Sequence, residues 1–148
     1  MLDLLSQPSF IRFIGDRGVK TVDEAESYIR DRALAGCEKN GYGPFAVELK
    51  STSEAIGIVS LLDREELDDV DVGFAFLPDY WRQGYACEAS AAVMEFAFSE
   101  LGLTRIVAVT QANNIGSIRT LEKLGLTHDG GARLDDEGPD LLLYAIER

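Results

Sequence analysis

Residues 70–110 constrain the fold most, because they read as a strand, a long helix and a second strand. The first strand is predicted over residues 70–76, and Pro78 ends it because proline cannot donate to a strand ladder. A helix with an alanine-rich stripe follows over residues 84–101. Residues 104–110 (TRIVAVT) are β-branched and nearly continuous, as in a buried strand. A strand–helix–strand unit of this kind predicts that its two strands are parallel.

The segments on either side of this unit contain further predicted helices and strands. The predicted helices lie within residues 1–18, at 22–38 and at 115–124, and the predicted strands lie at 45–49, 55–62, 126–134 and 141–147. Thr21 and Glu24 form a capping box at the start of the second helix. The last two strands are expected to pair as a hairpin. Without a linker or repeat, we expect one α/β domain over residues 1–148, with a mixed sheet of about six strands and helices on both faces.

Composition excludes several classes of function. The formal net charge is −12, from 26 acidic and 14 basic residues, which argues against nucleic-acid binding. An acidic surface suits a cationic substrate, and it also serves solubility alone. No apolar run approaches a membrane span of about 20 residues and no signal peptide is present, so we expect a cytoplasmic protein without a membrane partner. No HxxxH, CxxC or acid cluster supports a metal, and we expect none.

The turn before the long helix is suited to holding an anion. It reads Arg82-Gln83-Gly84-Tyr85-Ala86 and ends the short loop that follows the strand at 70–76. The first N–H groups of a helix have no intrahelical partners, and the helix dipole places partial positive charge there. Gly84 lets the backbone approach an anion without a Cβ in the way.

Two motifs flank the strand–helix–strand unit. The first is residues 78–86 (PDYWRQGYA) followed by Glu88 and Ala89, and the second is residues 114–117 (NIGS) followed by 121–126 (LEKLGL). In this order and spacing they resemble the GNAT acetyltransferases, closest to the RimJ/RimL-like branch that acetylates protein N-terminal amines. The resemblance covers almost the whole chain.

The resemblance implies acetyl-CoA as co-substrate. Its pyrophosphate would bind backbone N–H groups of Gln83, Gly84, Tyr85, Ala86 and Cys87. Arg82 would supply a cation to a phosphate, or it is a surface arginine. In the family, a bulged strand splays from its parallel neighbour and pairs with the pantetheine arm. Gly73 is the expected bulge, and the backbone groups of Phe74, Ala75 and Phe76 would be free to pair. Asn114 would bind the same arm, or it is simply a helix N-cap.

The catalytic assignments also follow the resemblance. The hydroxyl of Ser117 would protonate or hydrogen-bond the leaving thiolate, whose pKa of about 8.5 demands a modest donor. The base candidates are carboxylates at the mouth of the splay, Asp71 first and Glu48 second, although a water chain can also carry the proton. An N-terminal α-amine needs little base, because roughly one in ten is neutral at pH 7 against roughly one in 2,500 lysine side chains.

One family element is missing from this sequence. The branch normally opens with a strand before the first helix, and here Met1 falls inside that helix. The exposed edge at residues 45–49 would then be bare, paired with a second copy in a homodimer, or covered by another segment.

These observations predict an N-acetyltransferase that moves acetyl from acetyl-CoA to an amine, either a protein N-terminus or a small molecule, by direct attack in a ternary complex. The alternative is a GNAT-like module that binds acyl-CoA as a sensor without turnover. A nucleotide-binding domain unrelated to CoA is weaker, because neither GxGxxG nor a P-loop is present. The sequence does not name the acceptor.

Overall fold

The computed structural model describes residues 1–148. The helices are α1 (Leu2–Leu5), α2 (Pro8–Phe13), α3 (Val22–Tyr28), α4 (Ala35–Asn40), α5 (Tyr85–Ser99) and α6 (Ile115–Lys123). A π-helical segment (Ile29–Leu34) joins α3 to α4, and a 3-10 helix (Pro78–Tyr80) precedes α5. The strands are β1 (Pro44–Glu48), β2 (Ala55–Leu62), β3 (Asp71–Phe76), β4 (Arg105–Thr110), β5 (Thr127–Ala132) and β6 (Leu141–Glu147). None of the helices combines the length and apolar composition that crossing a bilayer requires.

The strands form one six-stranded mixed sheet in the order β1-β2-β3-β4-β6-β5. Strands β3 and β4 are parallel, and every other neighbouring pair is antiparallel. The predicted mixed sheet, the parallel pair around the long helix and the final hairpin are all confirmed. This topology places β3 and β4 at the centre of the sheet, so the loops at their carboxyl ends open at the same edge.

The two faces of the sheet are covered by different helices. On one face, Val72 and Phe76 of β3 and Ile106 of β4 pack with Met94 of α5 and Leu121 of α6 in a large buried core. Successive strand residues point to opposite faces, so the other face takes the alternate side chains. There Leu4, Leu5 and Phe10 of α1 and α2 pack against Ala75 and Leu77.

The parallel pairing of β3 and β4 is very short. Asp71 pairs with Val107, and no further residues of the two strands are paired. On its other side, β3 stays in regular register with β2 from Asp71 to Phe76. The gap between β3 and β4 therefore opens without an extra residue in β3, and the prediction of a bulge at Gly73 is wrong.

Three other details depart from expectation. The first helical region is two short helices, because Pro8 begins a new helix at its N1 position. The second helix runs on to Asn40 through the π-helical segment. Glu48 is exposed on the edge strand β1, and β2 separates it from β3. Glu48 therefore lies away from the gap and is a poor candidate for a base.

Candidate functional site

The turn before α5 has an unusual backbone. Gly84 is the N-cap of α5 with φ of +90°, and Arg82 also has a positive φ, of 60°. Such a conformation costs a non-glycine residue of order 1–3 kcal/mol, and it is found mostly where a site demands it. A Cβ placed on Gly84 would meet no atom within 4 Å. The space beside Gly84 is therefore open to a ligand.

The amides of this turn lack acceptors within the protein. No side chain caps α5, and the first bond that its backbone makes to the turn is from the Glu88 amide to the Gly84 carbonyl. The consecutive N–H groups of Gln83, Gly84, Tyr85, Ala86 and Cys87 have no acceptor within the protein. By contrast, α3 and α6 are capped by the side chains of Thr21 and Asn114. Five amides without a protein acceptor at the positive end of a helix dipole are suited to binding a phosphate-type anion.

Side chains brace this turn from behind. The indole Nε1 of Trp81 donates to the carbonyl of Phe76 at 2.8 Å, and Nε2 of Gln83 donates to the carbonyl of Asp79 at 2.7 Å. The hydroxyl of Tyr80 donates to Glu54 at 2.7 Å, which raises the pKa of that phenol. The turn is therefore held in place independently of any ligand. Arg82 is exposed and forms no ion pair with any acid, so its cation is available.

The orientation of the β3 backbone follows from two hydrogen bonds. The Leu77 amide donates to the Ile56 carbonyl of β2 at 3.0 Å, and the Val107 amide of β4 donates to the Val70 carbonyl at 3.0 Å. Backbone groups of successive strand residues point to opposite sides. The odd-numbered residues of β3 therefore bond to β2, and the even-numbered ones face β4.

Two of the three predicted backbone positions face the gap. Phe74 turns its N–H and C=O toward β4, and Phe76 does the same, although its carbonyl already accepts from the Trp81 indole. Ala75 turns its backbone groups toward Ile58 of β2. The expectation of free backbone groups at Ala75 is therefore wrong, and its methyl group instead packs on the face that α1 and α2 cover.

Asp71 lies where β3 and β4 are still paired. It is 2% exposed, and its Oδ2 accepts from Nε of Arg64 at 2.7 Å. Burial raises the pKa of the Asp71 carboxyl, while Arg64 and the Val109 amide act to lower it. A base role for Asp71 stays a prediction. In the structure, the guanidinium of Arg64 already donates a hydrogen bond to one of the two carboxylate oxygens.

Asn114 and Ser117 lie at the start of α6, after the loop that connects β4 to this helix. The Oδ1 of Asn114 accepts from the Ser117 amide at 3.2 Å, so the side chain of Asn114 is the N-cap of α6. This cap leaves the Ser117 hydroxyl free of a protein partner, and the residue is half-buried. Nearby, Nε2 of Gln111 donates to the carbonyl of Arg12 at 3.1 Å, which ties this loop to α2.

Sequence reasoning missed two residues of this region. Arg64 is the single base among the acids of residues 63–69, and that isolation was a usable signal for a partner in the sheet. Trp81 is expected from its aromatic character to be a core residue, and this is wrong: it is 47% exposed, and its bond to Phe76 depends on how the turn folds back over β3.

Comparisons with known proteins agree with this geometry. Residues 1–127 match the model of the acetyltransferase (GNAT) domain. Among curated relatives, the uncharacterized N-acetyltransferase YoaA of Bacillus subtilis is 31% identical over 129 residues, which cover 86% of this chain and 72% of that protein. A second from the same organism, YnaD, is 30% identical over 125 residues, covering 84% and 70%.

Solved structures share the fold along nearly the whole chain. A GNAT-family acetyltransferase from Bacillus anthracis superposes with a TM-score of 0.79 at 25% identity, covering 99% of this chain and 86% of that one. An acetyltransferase from Agrobacterium tumefaciens gives 0.77 at 24% identity, covering 99% and 82%. The family match, the relatives and the splayed central strands agree: this chain belongs to the GNAT family of N-acetyltransferases.

Proposed function

We propose that this protein transfers acetyl from acetyl-CoA to an amine by direct attack in a ternary complex. The observation that carries the proposal is the set of five unpartnered amides, from Gln83 to Cys87, at the N-terminus of α5. They follow β3 after a short 3-10 helix, and Phe74 and Phe76 of β3 turn backbone groups into the gap beside β4. A pyrophosphate fits the first feature and an extended amide-containing arm fits the second.

The cofactor supplies an acetyl thioester, and the residues of this chain supply orientation and a proton. The backbone groups of Phe74 and Phe76 would hold the cofactor arm along β3. The exposed side chain of Arg82 would pair with a phosphate of the cofactor from the solvent side. As the amine forms its bond to the acetyl carbon, the carbon–sulfur bond breaks. The Ser117 hydroxyl would then hydrogen-bond the departing sulfur, or protonate it and recover a proton from water, while the amine passes its own proton to water.

The acceptor is proposed to be an amine that is already partly neutral at pH 7, either a protein N-terminal α-amine or a small-molecule amine. The net charge of −12 favours approach of a cationic acceptor. Structural neighbours at 17–23% identity include a putative ribosomal-protein-serine acetyltransferase and a spermidine N-acetyltransferase in complex with CoA and spermine, both from Vibrio cholerae. The name of the first refers to a protein acceptor and that of the second to a small-molecule amine. We propose the RimJ/RimL-like branch because of the first neighbour.

The test is release of free CoA thiol from acetyl-CoA in the presence of peptides with free N-termini, polyamines and small amines. Turnover with at least one class, above hydrolysis without acceptor, is the expected result. Binding of CoA by calorimetry without turnover on any acceptor would instead support a sensor. Absence of CoA binding would refute the proposal altogether.

A further inference from the structure

We infer that Asp71 is a positioning residue that, together with Arg64, fixes the point at which β3 and β4 separate. The inference rests on the proposed function, because it assumes that the gap beyond this point holds the cofactor. Asp71 would thus act on catalysis through the shape of the gap, and its carboxylate would take no proton from the acceptor.

Asp71 occupies the last paired position of the two strands. The bond from the Val107 amide to the Val70 carbonyl closes the ladder next to it, and Asp71 itself pairs with Val107. In a continuing parallel ladder the Val109 amide would donate to β3 in the same way. The pairing of β3 with β4 does not continue past Asp71 and Val107, and the Val109 amide acts to lower the pKa of the Asp71 carboxyl. The Asp71 side chain therefore lies at the point where the pairing of the two strands stops.

Arg64 holds this carboxylate in place. The bond from Nε to Oδ2 is 2.7 Å long, and the Asp71 side chain is 3% exposed. A buried carboxylate oxygen needs a hydrogen-bond donor, because a buried acceptor left without one is costly. Arg64 belongs to the loop of residues 63–69, and Asp69 of the same loop bonds Nε of Arg105 in β4 at 2.9 Å. The loop is therefore bonded to both β3 and β4, at the end of the gap where the two strands are still paired.

This environment disfavours a base role. A base must reach the proton that it removes, directly or through one water. Asp71 is 2% exposed, and a fixed cation already engages one of its two oxygens.

The test compares substitutions that keep the hydrogen bond with substitutions that remove it. In Arg64→Gln, Nε2 occupies the place of the arginine Nε and can still donate; in Arg64→Met, no donor remains. In Asp71→Asn, Oδ1 can still accept. For each variant, CoA affinity is measured by calorimetry, kcat and its pH profile by thiol release, and folding by thermal unfolding.

Positioning predicts that Arg64→Met weakens CoA binding by about tenfold or more, since misplacement by about 1 Å can cost on the order of 100-fold in rate. Arg64→Gln should bind CoA within about threefold of wild type, which is well under 1 kcal/mol. Asp71→Asn should keep kcat within about tenfold, with the acid limb of its pH profile unchanged.

A base role predicts the opposite pattern. Asp71→Asn would then lose roughly 100-fold or more in kcat at unchanged CoA affinity, and the acid limb would disappear. That result would overturn the inference, as would unchanged CoA affinity in a folded Arg64→Met. If Arg64→Met does not fold, Arg64→Gln and Asp71→Asn still decide between the two roles. Failure of the wild-type protein to bind CoA would refute the proposed function as well, whereas the patterns above refute the positioning role alone.

Discussion

The Val107 amide and the Val70 carbonyl, 3.0 Å apart, form the bond that joins β4 to β3 just before the two strands part. Beyond it, Phe74 and Phe76 turn backbone groups toward β4, and neither residue pairs with a residue of β4. Unpaired backbone groups inside a protein are costly unless something satisfies them. On the proposed function, the cofactor arm would complete the centre of this sheet, which would link the topology of the fold to cofactor binding.

Substitution of Ser117 should affect the chemical step and leave binding intact. Ser117→Ala removes the proposed donor to the leaving thiolate, so we expect kcat to fall by about 10²-fold or more with CoA affinity nearly unchanged. The Asn114 cap uses the Ser117 amide, which alanine retains, so the fold should persist. Thr120→Ala on the same helix is the matched control, because its hydroxyl bonds within the helix to Gly116. Wild-type kcat in Ser117→Ala would remove this residue from the mechanism.

The two roles of Asn114, as the N-cap of α6 and as a proposed ligand of the cofactor arm, can be tested separately. Asn114→Ala should destabilise the protein by about 1 kcal/mol, because α6 loses its N-cap. Asn114→Asp keeps an acceptor for the Ser117 amide, so its free energy of unfolding in urea should stay close to that of the wild type. If the side chain also binds the cofactor arm through its amide NH₂, Asn114→Asp should still weaken CoA binding. Normal CoA affinity in that variant would leave the cap as its whole role.

Gly57 is required by the packing of β2 against β3. A Cβ there would lie 2.5 Å from the Ala75 carbonyl and 2.6 Å from the Phe76 ring. We expect Gly57→Ala to cost about 1–3 kcal/mol in unfolding free energy, as overpacking usually does. Gly36 in α4 has no atom within 4 Å of such a Cβ, so Gly36→Ala should stabilise by up to about 1 kcal/mol. Equal effects in the two variants would show that Gly57 is not tightly packed.

The capping box at α3 should make stability depend on pH in the acid range. The Glu24 carboxylate accepts from the amides of Lys20 and Thr21 at 2.7 and 3.0 Å, which lowers its pKa. A lowered folded pKa means that this contribution is present above the ordinary glutamate value and is lost as pH falls through the folded value. The difference in unfolding free energy between wild type and Glu24→Gln should therefore shrink at acid pH. Glu26→Gln on the same helix is the control, and a pH-independent difference for Glu24 would contradict this account.

Local patterns were enough to predict most of the fold, because its elements carry strong local signals. The β-branched run of β4 and the Thr21–Glu24 capping box are visible in the sequence. The opening of the gap between β3 and β4 is not visible in the sequence. Gly73 suggested a bulge, and the strands part without one. On our inference the opening depends on the pairing of Asp71 with Arg64, seven residues apart across a loop, and no periodicity predicts such a contact.

The central claim is that the Gly84 turn holds the pyrophosphate, and calorimetric titration of CoA tests it most directly. Gly84→Glu places a side chain and a negative charge in the open space beside the unpartnered amides. Gly102→Glu is the matched control, because Gly102 also has a positive φ, of 68°, with no atom within 4 Å of a Cβ. The two substitutions should cost similar stability, and we expect only Gly84→Glu to abolish CoA binding. Tight CoA binding by a folded Gly84→Glu would contradict this placement of the pyrophosphate.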